Sequence, residues 1–97
     1  MIRLLRVRGQ SMSPQIEDGD FVLALKPSIF SPIRTGDTIV FHKKPYGILI
    51  KQVEGLDEHR RLIWVRGTHP DSLDSHTFGA VLPDELIGKV VAYFSRT

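Results

Sequence analysis

Cysteine is absent from the 97 residues, which removes disulfide frameworks, thiolate metal sites and cysteine nucleophiles together and leaves the redox compartment open. Long apolar runs are missing as well. Stretches such as Gly47-Ile-Leu-Ile50 and Val90-Val-Ala-Tyr-Phe94 fall far short of the roughly 18 residues of a membrane span. The opening Met1-Ile-Arg-Leu-Leu-Arg-Val-Arg8 is broken by arginines and has no apolar core of a secretory signal, so a soluble, cytoplasmic protein is expected. Charge of one sign is also scarce. Thirteen Lys and Arg against eleven Asp and Glu leave +2, spread over Arg3/Arg6/Arg8, Lys43/Lys44 and Arg60/Arg61, too thin for a backbone-tracking nucleic-acid surface. The four histidines, His42, His59, His69 and His76, show no ligand spacing, so neither a metal nor a cofactor is expected. His69 and His76 lie near Asp71 and Asp74, which leaves a Ser-His-Asp arrangement with Ser11 open, although nothing in the chain specifies it.

What is present is an ordinary globular composition, 41% hydrophobic and 25% charged, in a length that supports a single domain over residues 1–97. Strand signals dominate. Leu4–Val7, Phe21–Leu25, Thr38–Phe41, Ile48–Val53, Leu62–Val65 and Ile87–Phe94 are short, rich in β-branched or aromatic residues, and separated by Gly, Pro or Asp, which predicts a mostly β, antiparallel fold. Helical turns are expected only at Ser13-Pro14-Gln15-Ile16 and, more weakly, at Pro83–Leu86. The pattern Ile-x-x-Gly-Asp-x-(Val/Ile) occurs at Ile16 and again at Ile33. Each copy reads as a tight turn opening a strand, with Gly supplying a positive φ and Asp a bond to nearby amides.

Two residues carry the chemistry. Ser11, in Gly9-Gln-Ser-Met-Ser-Pro14, stands between a short strand and a probable helical turn, where free backbone amides could serve an oxyanion. Taken alone it could equally be an N-cap. Lys51 lies in the most apolar strand, and period-2 alternation puts it on one face with Leu49 and Val53, with Ile48, Ile50 and Gln52 on the other. Desolvation there would favour the neutral amine that a Ser-Lys dyad needs, since an unshifted lysine, pKa about 10.4, is neutral only roughly one part in a thousand near pH 7. Taken alone, Lys51 could instead carry its amine to water from a strand edge.

Together these segments resemble type I signal peptidases, the Ser-Lys proteases that cleave leader peptides. Gly9-Gln-Ser-Met-Ser-Pro14 is similar to the nucleophile box Gly-x-Ser-Met-x-Pro. Gly19-Asp-Phe-Val22 and Gly36-Asp-Thr-Ile-Val-Phe41 are similar to the Gly-Asp strand openings that follow it. Ile50-Lys-Gln-Val53 resembles the base box, and Ser72-Leu-Asp-Ser-His-Thr-Phe-Gly79 resembles Ser-x-Asp-Ser-Arg-x-x-Gly. The order and the interval of 40 residues between Ser11 and Lys51 make the set specific where each box alone is weak.

The resemblance implies coiled antiparallel sheets, partly barrel-like, with Ser11 as nucleophile and Lys51 as general base. Ser72 would orient the Lys51 amine, Asp74 would brace the site, the Ser11 amide would contribute to an oxyanion hole, and Met12 would line the cleft. A protein or peptide precursor would bind extended. Three positions depart from the pattern: Gln52 for the usual Arg, His76 for the Arg that would pair with Asp74, and Gly67-Thr-His69 for Gly-Asp-Asn, with a loop one residue short. Gly9 offers no side-chain hydroxyl to the oxyanion. Short relatives without an anchor include the nickel-type superoxide dismutase maturation proteases, which implies propeptide removal from a cytoplasmic precursor, although association with a membrane stays open. The self-cleaving SOS-type repressors share the Ser and Lys boxes, but only ten residues precede Ser11 and the Ser72 box is the peptidase mark. A peptide-binding module without catalysis is the alternative of a different class.

Overall fold

The computed structural model describes residues 2–7, 18–27, 32–67 and 75–94. Six strands run through them: β1 Ile2–Arg6, β2 Phe21–Leu25, β3 Thr38–Lys43, β4 Gly47–Asp57, β5 Leu62–Arg66 and β6 Leu86–Phe94. They form one antiparallel sheet in the order β1-β2-β6-β3-β4-β5. The mostly β expectation holds. The sheet is open, with β1 and β5 at its edges, so the barrel-like part of the expectation stops at coiling and does not reach closure.

Coiling has a local cause. The register shifts at Leu23/Ala24 in β2·β6, at Val40/Phe41 in β3·β6 and between Val53 and Gly55 in β4·β5, and each bulge strengthens the right-handed twist of its strand. Two apolar clusters consequently lie on opposite faces. Val7, Val22, Ala24 and Val40 pack on one face with Leu5, Ile50, Ile87 and Val90. Ile39, Phe41, Val53, Ile63, Val65 and Val81 pack on the other with Leu49, Phe78 and Leu86.

The paired Gly-Asp turns behave as the sequence predicts. Gly19 and Gly36 adopt φ of 91° and 94°, values open to glycine without strain. Asp37 Oδ2 accepts the Arg34 amide at 2.8 Å, closing the second turn. The Val53 amide donates to the Asp37 carbonyl at 2.7 Å and the Gly36 amide to the Val53 carbonyl at 2.8 Å, which fastens this turn to β4 two residues beyond Lys51. At the first turn, the Val7 amide donates to the Asp20 carbonyl at 2.7 Å and the Gly19 amide to the Val7 carbonyl at 2.8 Å. Both ends of the intervening segment 8–17 are therefore tied at one place.

Leu62–Gly79 holds the feature that the sequence did not announce, a single helical turn at Ser75–Phe78, labelled α1. Ser75 is buried, and its Oγ accepts the Val65 amide at 2.7 Å. Phe78 packs its ring against Phe41 and Tyr46, with centroids 5.9 and 5.8 Å away. One hydrogen bond and one aromatic contact thus hold α1 against β5 and the β3–β4 hairpin. The weaker helical expectation near Pro83 appears as a 3-10 turn, Pro83–Glu85. The Glu85 carboxylate accepts the Leu82 amide and the Lys43 ammonium, each at 2.8 Å, and Lys43 also donates to the Ala80 carbonyl at 2.8 Å. Burial alone would raise the Glu85 pKa, but the Lys43 and Leu82 bonds, with the nearby Lys43 and His42 charges, hold it below the ordinary carboxylate value.

Two stability predictions follow from these anchors. Ser75→Ala strands the buried Val65 amide and should cost on the order of 1–3 kcal/mol, read from urea unfolding midpoints. Because the folded Glu85 pKa lies below the unfolded one, its contribution is complete above the unfolded value and disappears as pH falls through the folded one. The stability gap between the native protein and Glu85→Gln should be about 1 kcal/mol near pH 7 and should close on acidification below about pH 4; a gap that widens in acid would contradict this.

Candidate functional site

Lys51 sits midway along β4, where Ile39 of β3 is its cross-strand partner. It is 2% exposed, and Val53 on the same face is 1% exposed, as strict alternation requires. Ile48 on the opposite face is largely open to solvent. The sequence expectation of a lysine on the apolar face with Leu49 and Val53 is thus met, and a surface lysine carrying its amine to water is not what is found. No buried side-chain nitrogen or oxygen among the described residues lacks a hydrogen-bond partner, as expected where desolvation of an unsatisfied group is costly.

The surroundings of Lys51 follow from where β5 stops. The β4·β5 ladder begins at Gln52, opposite Arg66, so Gly67, the last described residue before segment 68–74, follows β5 at the register level of Lys51, one position beyond the ladder. Ser75 closes the same segment by bonding to Val65, whose cross-strand partner is Val53. Both feet of segment 68–74 therefore stand on β5 beside Lys51. Ser72 and Asp74, expected to support the amine, belong to this segment and lie outside the described residues, as do Ser11 and Met12.

Ser11 belongs to segment 8–17, whose ends are Val7 and Asp18. Val7 is buried in the cluster that also takes in Ile50, the neighbour of Lys51 in β4. A groove of about 260 Å³ runs along this junction, lined by Leu5, Arg6, Val7, Val40, Ile48, Leu49 and Ile50. Among the described residues β1 pairs only with β2, and the β5 ladder on β4 begins at Gln52. Backbone amides and carbonyls along a sheet edge such as that of β1 can accept an added strand.

The departures from the expected boxes have structural counterparts. Gln52 donates from Nε2 to the Gly36 carbonyl at 3.3 Å, so this position braces the Gly-Asp turn rather than carrying a charge. His76 is exposed in α1, His42 is exposed on β3, and His59 is exposed in the β4–β5 turn. No cluster of three His, Cys, Asp or Glu suited to a metal occurs among the described residues. No described helix is long and apolar enough to cross a membrane. Sequence reasoning missed the anchoring role of Ser75. It stands inside the Ser72–Gly79 box, and nothing in that pattern signals its bond to Val65.

No curated protein matches the chain closely enough to add a relative. The sequence profile described as Peptidase S24-like matches residues 2–73, a span that takes in β1 to β5 and the positions of Ser11, Lys51 and Ser72. Covering well over half of the molecule, and agreeing with an open antiparallel sheet that buries a lysine in its fourth strand, this match makes the chain a member of the Peptidase S24-like family, the class of serine peptidases.

Proposed function

We propose that the protein is a serine endopeptidase with a Ser11–Lys51 dyad, acting as a single domain in the cytoplasm to remove a leader or propeptide from a precursor. The observation that carries the proposal is the burial of Lys51 in β4 next to the feet of segment 68–74. A lysine shielded from bulk water is biased toward the neutral amine, and retaining a lysine there in place of a well-packed hydrophobe gives up stability that chemistry explains better than folding does. Ser72 would hydrogen-bond the amine, Asp74 would brace that segment, and Met12 would line the cleft.

The substrate would lie extended in the groove between β1 and the start of β4, taking backbone bonds from the β1 edge. The apolar lining of Leu5, Val7, Val40, Ile48 and Ile50 suits small or aliphatic side chains, while Arg6 at the rim favours a carbonyl or carboxylate. In the first step Lys51 Nζ takes the Ser11 Oγ proton as Oγ attacks the scissile carbonyl. The oxyanion is met by the Ser11 amide. The C–N bond then breaks, the proton passes to the departing amine, and an acyl ester remains on Ser11. Water, losing a proton to Nζ, attacks that ester. Its C–O bond breaks and the Ser11 hydroxyl is restored. The precursor of a nickel-type superoxide dismutase is the substrate to test first, on the strength of the anchorless relatives that Leu4-Leu-Arg-Val-Arg-Gly-Gln-Ser-Met12 resembles.

The deciding experiment is digestion of a peptide library followed by mass spectrometry between about pH 6 and about pH 10. Cleavage should rise with pH as the amine loses its proton. Ser11→Ala and Lys51→Met should each lower the rate by about 10³-fold or more, because the two groups act as one unit. Lys51→Met should at the same time hold or raise the melting temperature, since it replaces a buried cation by an apolar chain of similar length. Cleavage that survives either substitution would overturn the dyad. Folded protein that binds extended peptides and cleaves none would favour the non-catalytic binding module.

A further inference from the structure

A cavity of about 640 Å³ opens beside the β4–β5 hairpin. Ile33, Leu56, Ile63 and Leu86 line it, and all four pack in the cluster that holds Val53. Pro27, Pro32 and Pro83 line it as well, and proline contributes stiff backbone without an amide donor. The volume falls within the range of small-ligand sites, roughly 300–1,000 Å³, which combine an apolar lining with a few polar groups. Leu56 stands five positions beyond Lys51 in β4, roughly 16 Å along the strand at about 3.3 Å per residue. The cavity and the groove of the candidate site share no lining residue.

Four charged residues border the same cavity: Lys26, Asp57, Glu58 and Arg61. Asp57 is engaged within the turn, where one oxygen accepts the Arg60 amide at 3.0 Å and the other lies 3.9 Å from Arg60 Nε. Lys26, Glu58 and Arg61 are exposed and enter no ion pair among the described residues. Arg61 also has a φ of 59°, a left-handed conformation that glycine adopts freely and arginine only with strain. The turn thus retains an arginine where glycine would relax it, and the cavity is what that residue borders. A ligand with a single negative head would meet Glu58 as well as the two cations, and one with a single positive head would meet Lys26 and Arg61. A ligand with both charges answers all three, its carboxylate set against the cations and its ammonium against Glu58. An apolar body between two such ends is a short peptide of aliphatic residues with free termini.

We propose that this cavity is a binding site for short aliphatic peptides with free termini, the carboxylate held by Lys26 and Arg61, the ammonium by Glu58, and the side chains by the apolar lining. Peptides of this kind are released by proteolysis, and a site that shares no lining residue with the groove can hold one without obstructing it.

The test is titration of the full chain carrying Ser11→Ala with trileucine, followed by amide shifts in nuclear magnetic resonance spectra. It reads binding and not cleavage, so its result is independent of the dyad. Shifts should centre on Ile33, Leu56 and Ile63. N-acetyl trileucine and trileucine amide should each bind about ten-fold more weakly, the scale of one charge-assisted hydrogen bond. Glu58→Gln should remove the difference between trileucine and its N-acetyl form. Arg61→Gly should weaken binding at least about five-fold while the melting temperature holds or rises, because the left-handed strain is relieved. Equal binding of the peptide blocked at both ends, or no shifts at millimolar trileucine, would overturn the proposal. So would shifts centred on Leu5, Val7 and Ile48, which would put the peptide in the groove, or binding that appears only with Phe30→Ala, which would make segment 28–31 the occupant.

Discussion

A lysine buried in the middle of a sheet strand constrains everything around it. β4 is eleven residues long, and its two halves differ. Its first part, Gly47–Gln52, pairs with β3, and its second, Gln52–Asp57, pairs with β5, the two ladders meeting at Gln52. Lys51 stands where one regime gives way to the other. A position nearer the β3–β4 turn would leave it in water, fully charged. The location at the boundary permits desolvation and access together, and those are the two conditions that a lysine base must meet.

The remaining architecture can be understood as holding that boundary in place. The Gly36–Asp37 turn bonds to Val53 on both sides of its peptide, and Gln52 adds a side-chain bond to the same turn, so the strand cannot slide past β3 without breaking three contacts. Ser75 fixes the far foot of segment 68–74 to β5, and Phe78 adds an aromatic wedge. The Val7 pair with Asp20 and Gly19 fixes the base of segment 8–17. The described ends of both segments are thereby fixed to strands of the sheet.

Much of this was legible in the sequence, and the legible parts share a cause. Strand positions and the face occupied by Lys51 follow from period-2 alternation, a local property written in Leu49, Lys51 and Val53. The Gly-Asp turns follow from the positive φ of Gly19 and Gly36. What stayed hidden is non-local. That β6 inserts between β2 and β3 is a matter of pairing over long sequence separation, and no residue type announces it. The turn at Ser75–Phe78 is too short for helical periodicity to register, and it exists because Val65 and Phe41 offer its two ends a bond and a ring. The nucleophile box could be recognised only as a pattern, because a serine before a helical turn has one local chemistry whether it caps or attacks.

An exposed sheet edge such as that of β1 would ordinarily invite association with other chains. The sequence limits that hazard in the ways that small β proteins use. β1 is only five residues long and carries arginines at positions 3 and 6, and a charge on an edge strand discourages indefinite stacking because each added copy brings another. The outer edge of β5 is shielded where Ile63 exchanges two backbone bonds with Val81. An edge that is short and carries cations favours short extended partners over indefinite stacking against another sheet, so the features that limit aggregation also restrict what may pair with β1.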